Sequence, residues 1–363
     1  MSAITPTIAV DAMGGDQAPR SEVEGAVLAA AELGVRIALV GPEDLLRKEL
    51  NLHDTRKLSI AVVHASEAIT MDERAARAVR QKRDSSIRAA TRLVRDGKAQ
   101  GVVSAGNTGA VMATAKIVLG TLPSVDRPAL AAIFPPLNAA ASKTGAILID
   151  VGANVDCKPE QLRQFAVMGA TYSRLLLKIP NPRVGLLSIG TEQGKGNELT
   201  RETYRLLEQS PLHFVGNVEG RDLYNGSVDV IVCDGFIGNV ALKISEGLAD
   251  AVKAALRRTV LRATGEKVRH GAKDGAQDTA WVQALEAVSH GMDYSETGGA
   301  SLLGVKGVST ICHGSASPRA IKNAIRLTRE VVAAGLNEKM EAELHKLILP
   351  ASARRRASAP TRR

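Results

Sequence analysis

Only 2% of the 363 residues are aromatic, with one tryptophan, four tyrosines and four phenylalanines. Base stacking therefore has few platforms, and no nucleic-acid partner is expected. Cysteine is rarer still. Cys157, Cys233 and Cys312 are odd in number, widely separated and without a C-x-x-C pair, which excludes a disulfide framework and a zinc knuckle and fits reduced thiols. No run of about eighteen apolar residues occurs, and the most hydrophobic stretch, VVSAGNTGAVMATAKIVLG, is interrupted by Asn107, Thr108, Thr114 and Lys116, so no transmembrane span is expected. Residues 1–10 lack the charged start and small-residue cleavage site of a signal peptide. A cytoplasmic location is the resulting expectation.

What is present is an ordinary globular composition, 45% apolar and 23% charged, which excludes disorder and collagen-like structure. The net charge of +9 is unevenly spread, because residues 351–363 hold five arginines and no acid. That stretch reads as a disordered Arg-rich tail, solvated or in contact with an anionic surface.

Along the chain, short β-rich runs alternate with helical patterns, and each run ends in a Gly or Asn cluster that opens the next helix. TPTIAVDAMGGD leads into SEVEGAVLAAAELG, where Ser21 and Glu24 have the spacing of a capping box and Gly34 marks the stop. DSSIRAATRLVRDG has Asp84 or Ser85 as cap and Gly97 as stop, and Pro159, Ser317 and Pro318 sit where helices start. Repetition of this grammar predicts one α/β domain over residues 1–350, a doubly wound Rossmann-like sheet. In a parallel sheet the loops gather outside the carboxyl ends of the strands, where ligands bind. Residues 251–290 break the pattern and read as an inserted, protruding helical pair, a subunit contact or a membrane tip, with Trp281 and Val282 its bulky apolar candidates late in the segment.

The chemistry is sought in the strand-end loops. SAGNTG, Ser104 to Gly109, lies between an apolar strand and a helix, so successive backbone N–H groups and a helix N-terminus point at one spot suited to an anion. AMGGD offers a second nest, with Asp11 and Asp16 as turn-formers or metal ligands. Asp11, Asp150 and Asp234, each near a strand end, read as caps rather than magnesium ligands. GKGNE carries Lys195 between two glycines just before a helix, a clamp for phosphate. It is not a Walker A loop, because the spacing from Gly190 is short and Gly196 replaces the hydroxyl residue. Neither G-x-G-x-x-G nor G-x-S-x-G occurs. DGFIGN brings Asn239 to a strand end, as an oxyanion donor or a helix cap. His313 and Ser315 precede the last long helix; the histidine reads as a phosphate ligand, an acid or base, or a structural group. KRDSS, Lys82 to Ser86, reads as a solvated charged face.

Taken in order, AVDAMGGD, VRQKRDSS, SAGNTGA, RPALAAIFP, DVGANVDCKPEQLRQFA, GKGNELT, NVEGRD, VCDGFIGNV, GGASLLGVKG and HGSASPRAIKNAI resemble the motifs of the bacterial phosphate acyltransferase family PlsX, over about residues 7–335. The resemblance implies transfer of a long-chain acyl group from acyl carrier protein to inorganic phosphate, giving acyl-phosphate for phospholipid synthesis. It implies a homodimer with a fold similar to phosphotransacetylases and to isocitrate and isopropylmalate dehydrogenases. Lys195 and Asn239 match the lysine and asparagine regarded as essential in the family. The expected phosphate and substrate contacts are Gly14, Gly15 and Asp16 in the first loop and Ser104, Gly106, Asn107, Thr108 and Gly109 in the second. Asn154, Asp234, His313 and Ser315 complete the set, with no metal and no cofactor.

Phosphate is already largely a dianion near neutral pH and a thiolate leaves readily, so positioning and charge stabilisation suffice without a covalent intermediate. Further partners to consider are the membrane glycerol-3-phosphate acyltransferase and an anionic membrane surface, which would make the protein peripheral at the inner face of the membrane. The segment RRTVLRATGEKVRHGAKDGAQD departs from the apolar tip common in the family. The rival readings are a short-chain phosphotransacetylase or decarboxylating dehydrogenase on the same fold, and a non-catalytic scaffold for acyl carrier protein and lipid.

Overall fold

The computed structural model describes residues 5–136, 145–264 and 298–348. The first part of the chain runs β1 (Thr7–Asp11), α1 (Arg20–Leu33), β2 (Arg36–Gly41), α2 (Glu43–Leu50), β3 (Ile60–His64), α3 (Ala75–Gln81), α4 (Ser86–Arg95), β4 (Gly101–Ser104), α5 (Thr108–Val118) and β5 (Ala129–Phe134). The remainder runs β6 (Ala146–Ile149), α6 (Pro159–Tyr172), β7 (Arg183–Leu187), α7 (Glu198–Glu208), β8 (His213–Val218), α8 (Asp222–Asn225), β9 (Val230–Val232), α9 (Gly235–Thr264), β10 (Ala300–Leu303), β11 (Val308–Ile311), α10 (Pro318–Ala333) and α11 (Leu336–Ile348).

The strands form one sheet in the order β3-β2-β1-β4-β11-β10-β5-β6-β9-β7-β8. β3, β2, β1, β4 and β11 are mutually parallel, and so are β6, β9, β7 and β8. β10 is antiparallel to both β11 and β5, and β5 is antiparallel to β6. The sheet is therefore mixed, not parallel throughout as the βα grammar predicts. Its cause is local: β10 and β11 are separated only by residues 304–307, and a link that short permits a hairpin but not a crossover. The two parallel halves run in opposite directions, so their loop ends do not share one edge. Between them the central strands present a face made of Leu130, Ala132, Ala300 and Ile311, which the register sets side by side.

Helices on both faces bury the sheet, and β4, β6 and β9 are buried at every residue, as strands covered on two sides must be. Strand β3, at one end of the sheet, has only half-buried and exposed residues. The start of α1 differs from its sequence reading. The helix begins at Arg20 after Pro19 without a side-chain cap, Ser21 Oγ donates to Gln17 Oε1 at 3.2 Å, and no Ser21–Glu24 capping box forms. Gly34 does end the helix, at φ 63°. At α10 the expected signals act as read: Ser317 accepts the Ala320 N–H and Pro318 occupies the first turn.

The expected inserted pair begins inside α9, which continues unbroken to Thr264. Its later part, with Trp281 and Val282, and the Arg-rich tail lie outside the described residues. No helix among the described residues is long and apolar enough to cross a membrane.

Candidate functional site

β1, β4 and β11 are neighbours, so their C-terminal loops meet. Gly14 and Gly106 pack so closely that a Cβ on Gly14 would lie 2.7 Å from the Gly106 nitrogen, which requires glycine there. Ser104 Oγ donates to Asp11 Oδ2 at 2.7 Å and accepts from Gly106 N–H at 3.1 Å, while Asp16 N–H donates to Gly314 O at 2.8 Å. The three loops thus form one rigid floor for the start of α5. Asn107 caps that helix by accepting the Ala110 N–H at 3.1 Å. Its amide donates to Met71 O at 3.1 Å and Glu73 O at 3.0 Å. The first N–H groups of the helix, on Thr108 and Gly109, have no intrahelical partner and border open space.

The opposite wall comes from the ends of β6 and β9. Buried Asp150 organises it, accepting N–H groups of Leu130, Gly152 and Ala153 on Oδ1 (3.2, 3.2 and 2.8 Å). Its Oδ2 accepts the Asn154 backbone N–H and side-chain amide, each at 2.8 Å. The same Asn154 amide donates to Pro128 O at 2.8 Å, and Asn154 O accepts Gly235 N–H at 2.8 Å. Asp234 caps α9 through the Ile237 N–H at 2.9 Å. One helical turn on, Asn239 is exposed, beside Gly152, with no side-chain hydrogen bond among the described residues.

Between the walls lies a cavity of about 460 Å³ over the Leu130, Ala132, Ala300 and Ile311 face. Of the expected contacts, Asp16, Gly106, Thr108, Gly109, Asn239 and His313 line it. Gly14, Gly15, Ser104 and Asn107 support it from behind, their geometry holding the loops. Asn154 is a brace under the second wall. His313 Nδ1 lies 2.8 Å from Ser315 Oγ and accepts the Ser315 N–H at 3.3 Å, so the neutral ring carries its proton on Nε2. Lys195 is not among the lining residues. It sits exposed on the loop beside a second cavity of about 370 Å³, bordered by Ser188, Gly196, Asn197, Asp234 and Ile237. The first turn of α9 touches both cavities, through Asn239 on one side and Ile237 on the other.

Two features carry no assigned role in the motif reading, although RPALAAIFP and GGASLLGVKG supply most of the first. One is the apolar floor. The other is Glu22, buried at the start of α1, whose Oε1 accepts Gly15 N–H at 3.0 Å while Oε2 has no partner among the described residues. Its signal in the sequence is an acid one and two turns before Ala26 and Ala29, on the helix's buried stripe.

Burial raises Glu22 from 4.5 to about 7, with Asp11 and Asp16 adding to the shift. Burial likewise raises Asp11 and Asp150 above the usual carboxylate range. For Glu22 the folded state keeps a proton that the unfolded chain releases, so its contribution to stability falls as the pH rises from about 4.5 to 7 and is level above that. Glu22→Gln, which cannot ionise, is expected to exceed the parent in stability by up to about 3 kcal/mol at pH 8 and to match it at pH 4.5. Melts across this range check it; a gap that does not widen with pH would contradict the assignment.

The thiols are held protonated. Cys312, on the cavity wall, is pushed up to about 12 by burial and then by the Glu22 charge. Burial also raises Cys157 to about 12 and Cys233 well above its ordinary value. Among the described residues no group of three or more His, Cys, Asp or Glu side chains is placed to hold a metal ion.

The family model described as fatty acid synthesis protein matches residues 6–339. A phosphate acyltransferase of Citrifermentans bemidjiense is 50% identical over 357 residues, covering 97% of this chain and 96% of that protein. Another, of Acidobacterium capsulatum, is 52% identical over 343 residues, covering 93% and 96%. Among solved structures, a phosphotransacetylase from Streptococcus pyogenes aligns with a TM-score of 0.58 at 15% identity, covering 91% of this chain and 95% of that one. A branched-chain phosphotransacylase from Enterococcus faecalis aligns at 0.54 and 15% identity, covering 90% and 99%. These two likenesses concern the fold, and they agree with a doubly wound α/β architecture.

Proposed function

The chain belongs to the fatty acid synthesis protein family of phosphate acyltransferases, PlsX, and on that premise we propose that it moves a long-chain acyl group from acyl carrier protein to inorganic phosphate. The observation that carries this reading is the cavity in which an open helix N-terminus and the free Asn239 amide border one apolar floor. Phosphate is held by the N–H groups of Thr108 and Gly109 at the positive end of α5, with His313 Nε2–H as a further donor. The thioester lies on the Leu130, Ala132 and Ala300 face. A phosphate oxygen attacks the carbonyl carbon, Asn239 donates to the resulting oxyanion, and collapse expels the carrier thiolate as the acyl–phosphate bond is kept. Because Cys312 stays a thiol at neutral pH, direct attack is favoured over an acyl-cysteine intermediate.

Lys195 supplies the remaining positive charge. Its loop, from Gly190 to Gly196, is glycine-rich and largely exposed, and it moves around the first turn of α9 to bring the ammonium to the phosphate. The enzyme works as a homodimer in the cytoplasm. Supporting this, α9 exposes Phe236, Val240, Ile244 and Leu248 at four-residue spacing, an apolar stripe suited to a second copy. The membrane glycerol-3-phosphate acyltransferase is a candidate recipient of the product, and the Arg-rich tail a candidate contact with anionic lipid.

The test is incubation with palmitoyl acyl carrier protein, with and without phosphate, trapping acyl-phosphate with hydroxylamine while following the released thiol. Phosphate-dependent product is expected, and Lys195→Ala is expected to lower kcat/KM by on the order of 100-fold, as removal of a transition-state contact does. Carrier protein bound without turnover would overturn the acyltransferase reading in favour of a scaffold.

A further inference from the structure

One described segment carries a large surplus of positive charge. Residues 71–95 hold eight Lys or Arg against three Asp or Glu. Leaving aside the five arginines after residue 350, the rest of the chain has 42 basic and 38 acidic residues, so this segment alone exceeds the whole surplus of the body. Within it, Arg74, Arg77 and Arg80 recur every third residue along α3 and share about a third of the helix circumference, followed by Arg83.

All four arginines are exposed. Arg74, Arg80 and Arg83 have no ion-pair partner among the described residues, and Arg77 Nε donates only to Gln81 Oε1 at 3.3 Å. Some exposed arginines elsewhere are paired at short range, as Arg47 is with Glu43, Arg56 with Asp54 and Arg95 with Asp96, whereas Arg20, Arg36 and Arg205 stand singly without an ion pair among the described residues. What distinguishes α3 is that its arginines are clustered. Lys82 is different: it is tied to Glu73 Oε2 and Ala68 O, each at 2.6 Å, and braces the start of the helix.

The patch adjoins the reaction cavity. Met71, three residues before Arg74, lines that cavity. Asn107 holds Met71 and Glu73 by their carbonyls, and a Cβ on Gly109 would lie 3.0 Å from Ala75 Cβ, so α3 and the phosphate-binding turn are one rigid unit. A shallow depression of about 390 Å³ lies along α3, bordered by Glu73, Arg74, Arg77, Ala78 and Gln81.

We propose that α3 is the docking surface for an acidic protein partner that carries the acyl group on a flexible thioester arm, with Arg74, Arg77 and Arg80 facing its carboxylates and the arm entering the cavity past Met71. The identity of the cargo rests on the function proposed above; the docking itself does not. Complementary charge speeds and orients such an encounter, and rim arginines suit brief, salt-sensitive contacts. The outward face of α3 carries no bulky apolar side chain to enter lipid, and residues 71–95 contain no aromatic to stack on bases, so an acidic protein fits better than a membrane or a nucleic acid.

The test compares the full-length protein with R74E/R77E/R80E and with R74K/R77K/R80K, using two donors: palmitoyl acyl carrier protein and the uncharged palmitoyl N-acetylcysteamine thioester. The charge reversal is expected to raise KM for the carrier donor at least tenfold and to flatten its salt dependence. The lysine variant should restore most of the affinity, and rates with the uncharged donor and the melting temperature should not change. An unchanged KM for the carrier donor would overturn the proposal, as would an equal fall with both donors. So would loss of binding to anionic vesicles or single-stranded DNA without a change in that KM. Fluorescence anisotropy with labelled carrier protein separates this inference from the proposed reaction: if neither donor yields acyl-phosphate but the reversal still abolishes carrier binding, docking stands and the acyltransferase reading falls.

Discussion

Asn239→Ala is expected to lower kcat about 100- to 1,000-fold with the carrier thioester, the usual effect of removing one oxyanion donor. Its melting temperature should stay at the parent value. Asn239 is exposed and its side chain makes no hydrogen bond among the described residues, so truncation removes no bond that holds the fold. If the amide acts only in the transition state, kcat and kcat/KM fall together while KM for phosphate is preserved. Asn239→Asp is a sharper probe, because it replaces a donor with an anion next to developing negative charge, and its loss should be at least as large. Near-normal turnover in either variant would remove Asn239 from the mechanism.

The largest stability effect is expected at Asp150. Asp150→Ala leaves five N–H donors around a buried void, each costing about 1–3 kcal/mol when unsatisfied, and even with partial relaxation the total is on the order of 5 kcal/mol. Asp150→Asn keeps one acceptor oxygen but turns an NH₂ towards the donors of Asn154, so an intermediate loss of about 2 kcal/mol is expected. Urea denaturation at pH 7 measures both. A loss below about 1 kcal/mol in the alanine variant would mean that the β6 loop does not depend on this carboxylate. The effect reaches the candidate cavity as well. Gly238 packs directly on the Asp150 carbonyl, and Asn154 O anchors Gly235, so the carboxylate that shapes the loop also aims the first turn of α9 and with it Asn239.

Much of this site is legible in the sequence. SAGNTG reads as a helix N-terminus open to an anion, and Thr108 and Gly109 occupy that position. Asp234 reads as a cap and caps Ile237. Other expected contacts lie behind the cavity and hold its loops instead of lining it. Ser104 and Asn107 carry polar groups that could meet phosphate, yet the hydroxyl of one holds Asp11 and the amide of the other holds Met71 and Glu73. A side chain's type is written in the sequence; which of several neighbours takes its hydrogen bonds depends on which loops meet. Ser21 and Glu24 have capping-box spacing, but the Gly15 contact turns Glu22 inward and the helix starts after Pro19 instead.

The cavity floor was the least legible part. ALAAIF and ASLL are short, rich in alanine and leucine, and lack both the alternation of a half-exposed strand and the βα rhythm of their neighbours. They become the centre of the sheet only because β5 and β10 pair with each other and with strands of opposite direction.

Local chemistry along the chain determined the elements, the caps such as Ser317 and Asp234, the anion-ready turn at Thr108 and the family to which the chain belongs, because each depends on residues within a few positions of one another. The tertiary structure decided which of those loops share a cavity, that Asn239 borders it while Lys195 stands outside, and that Glu22 is buried against the Gly15 loop. These depend on strand order, in which the β4–β11 and β5–β10 pairings join segments more than a hundred residues apart and so bring distant loops together, and no local pattern encodes that meeting.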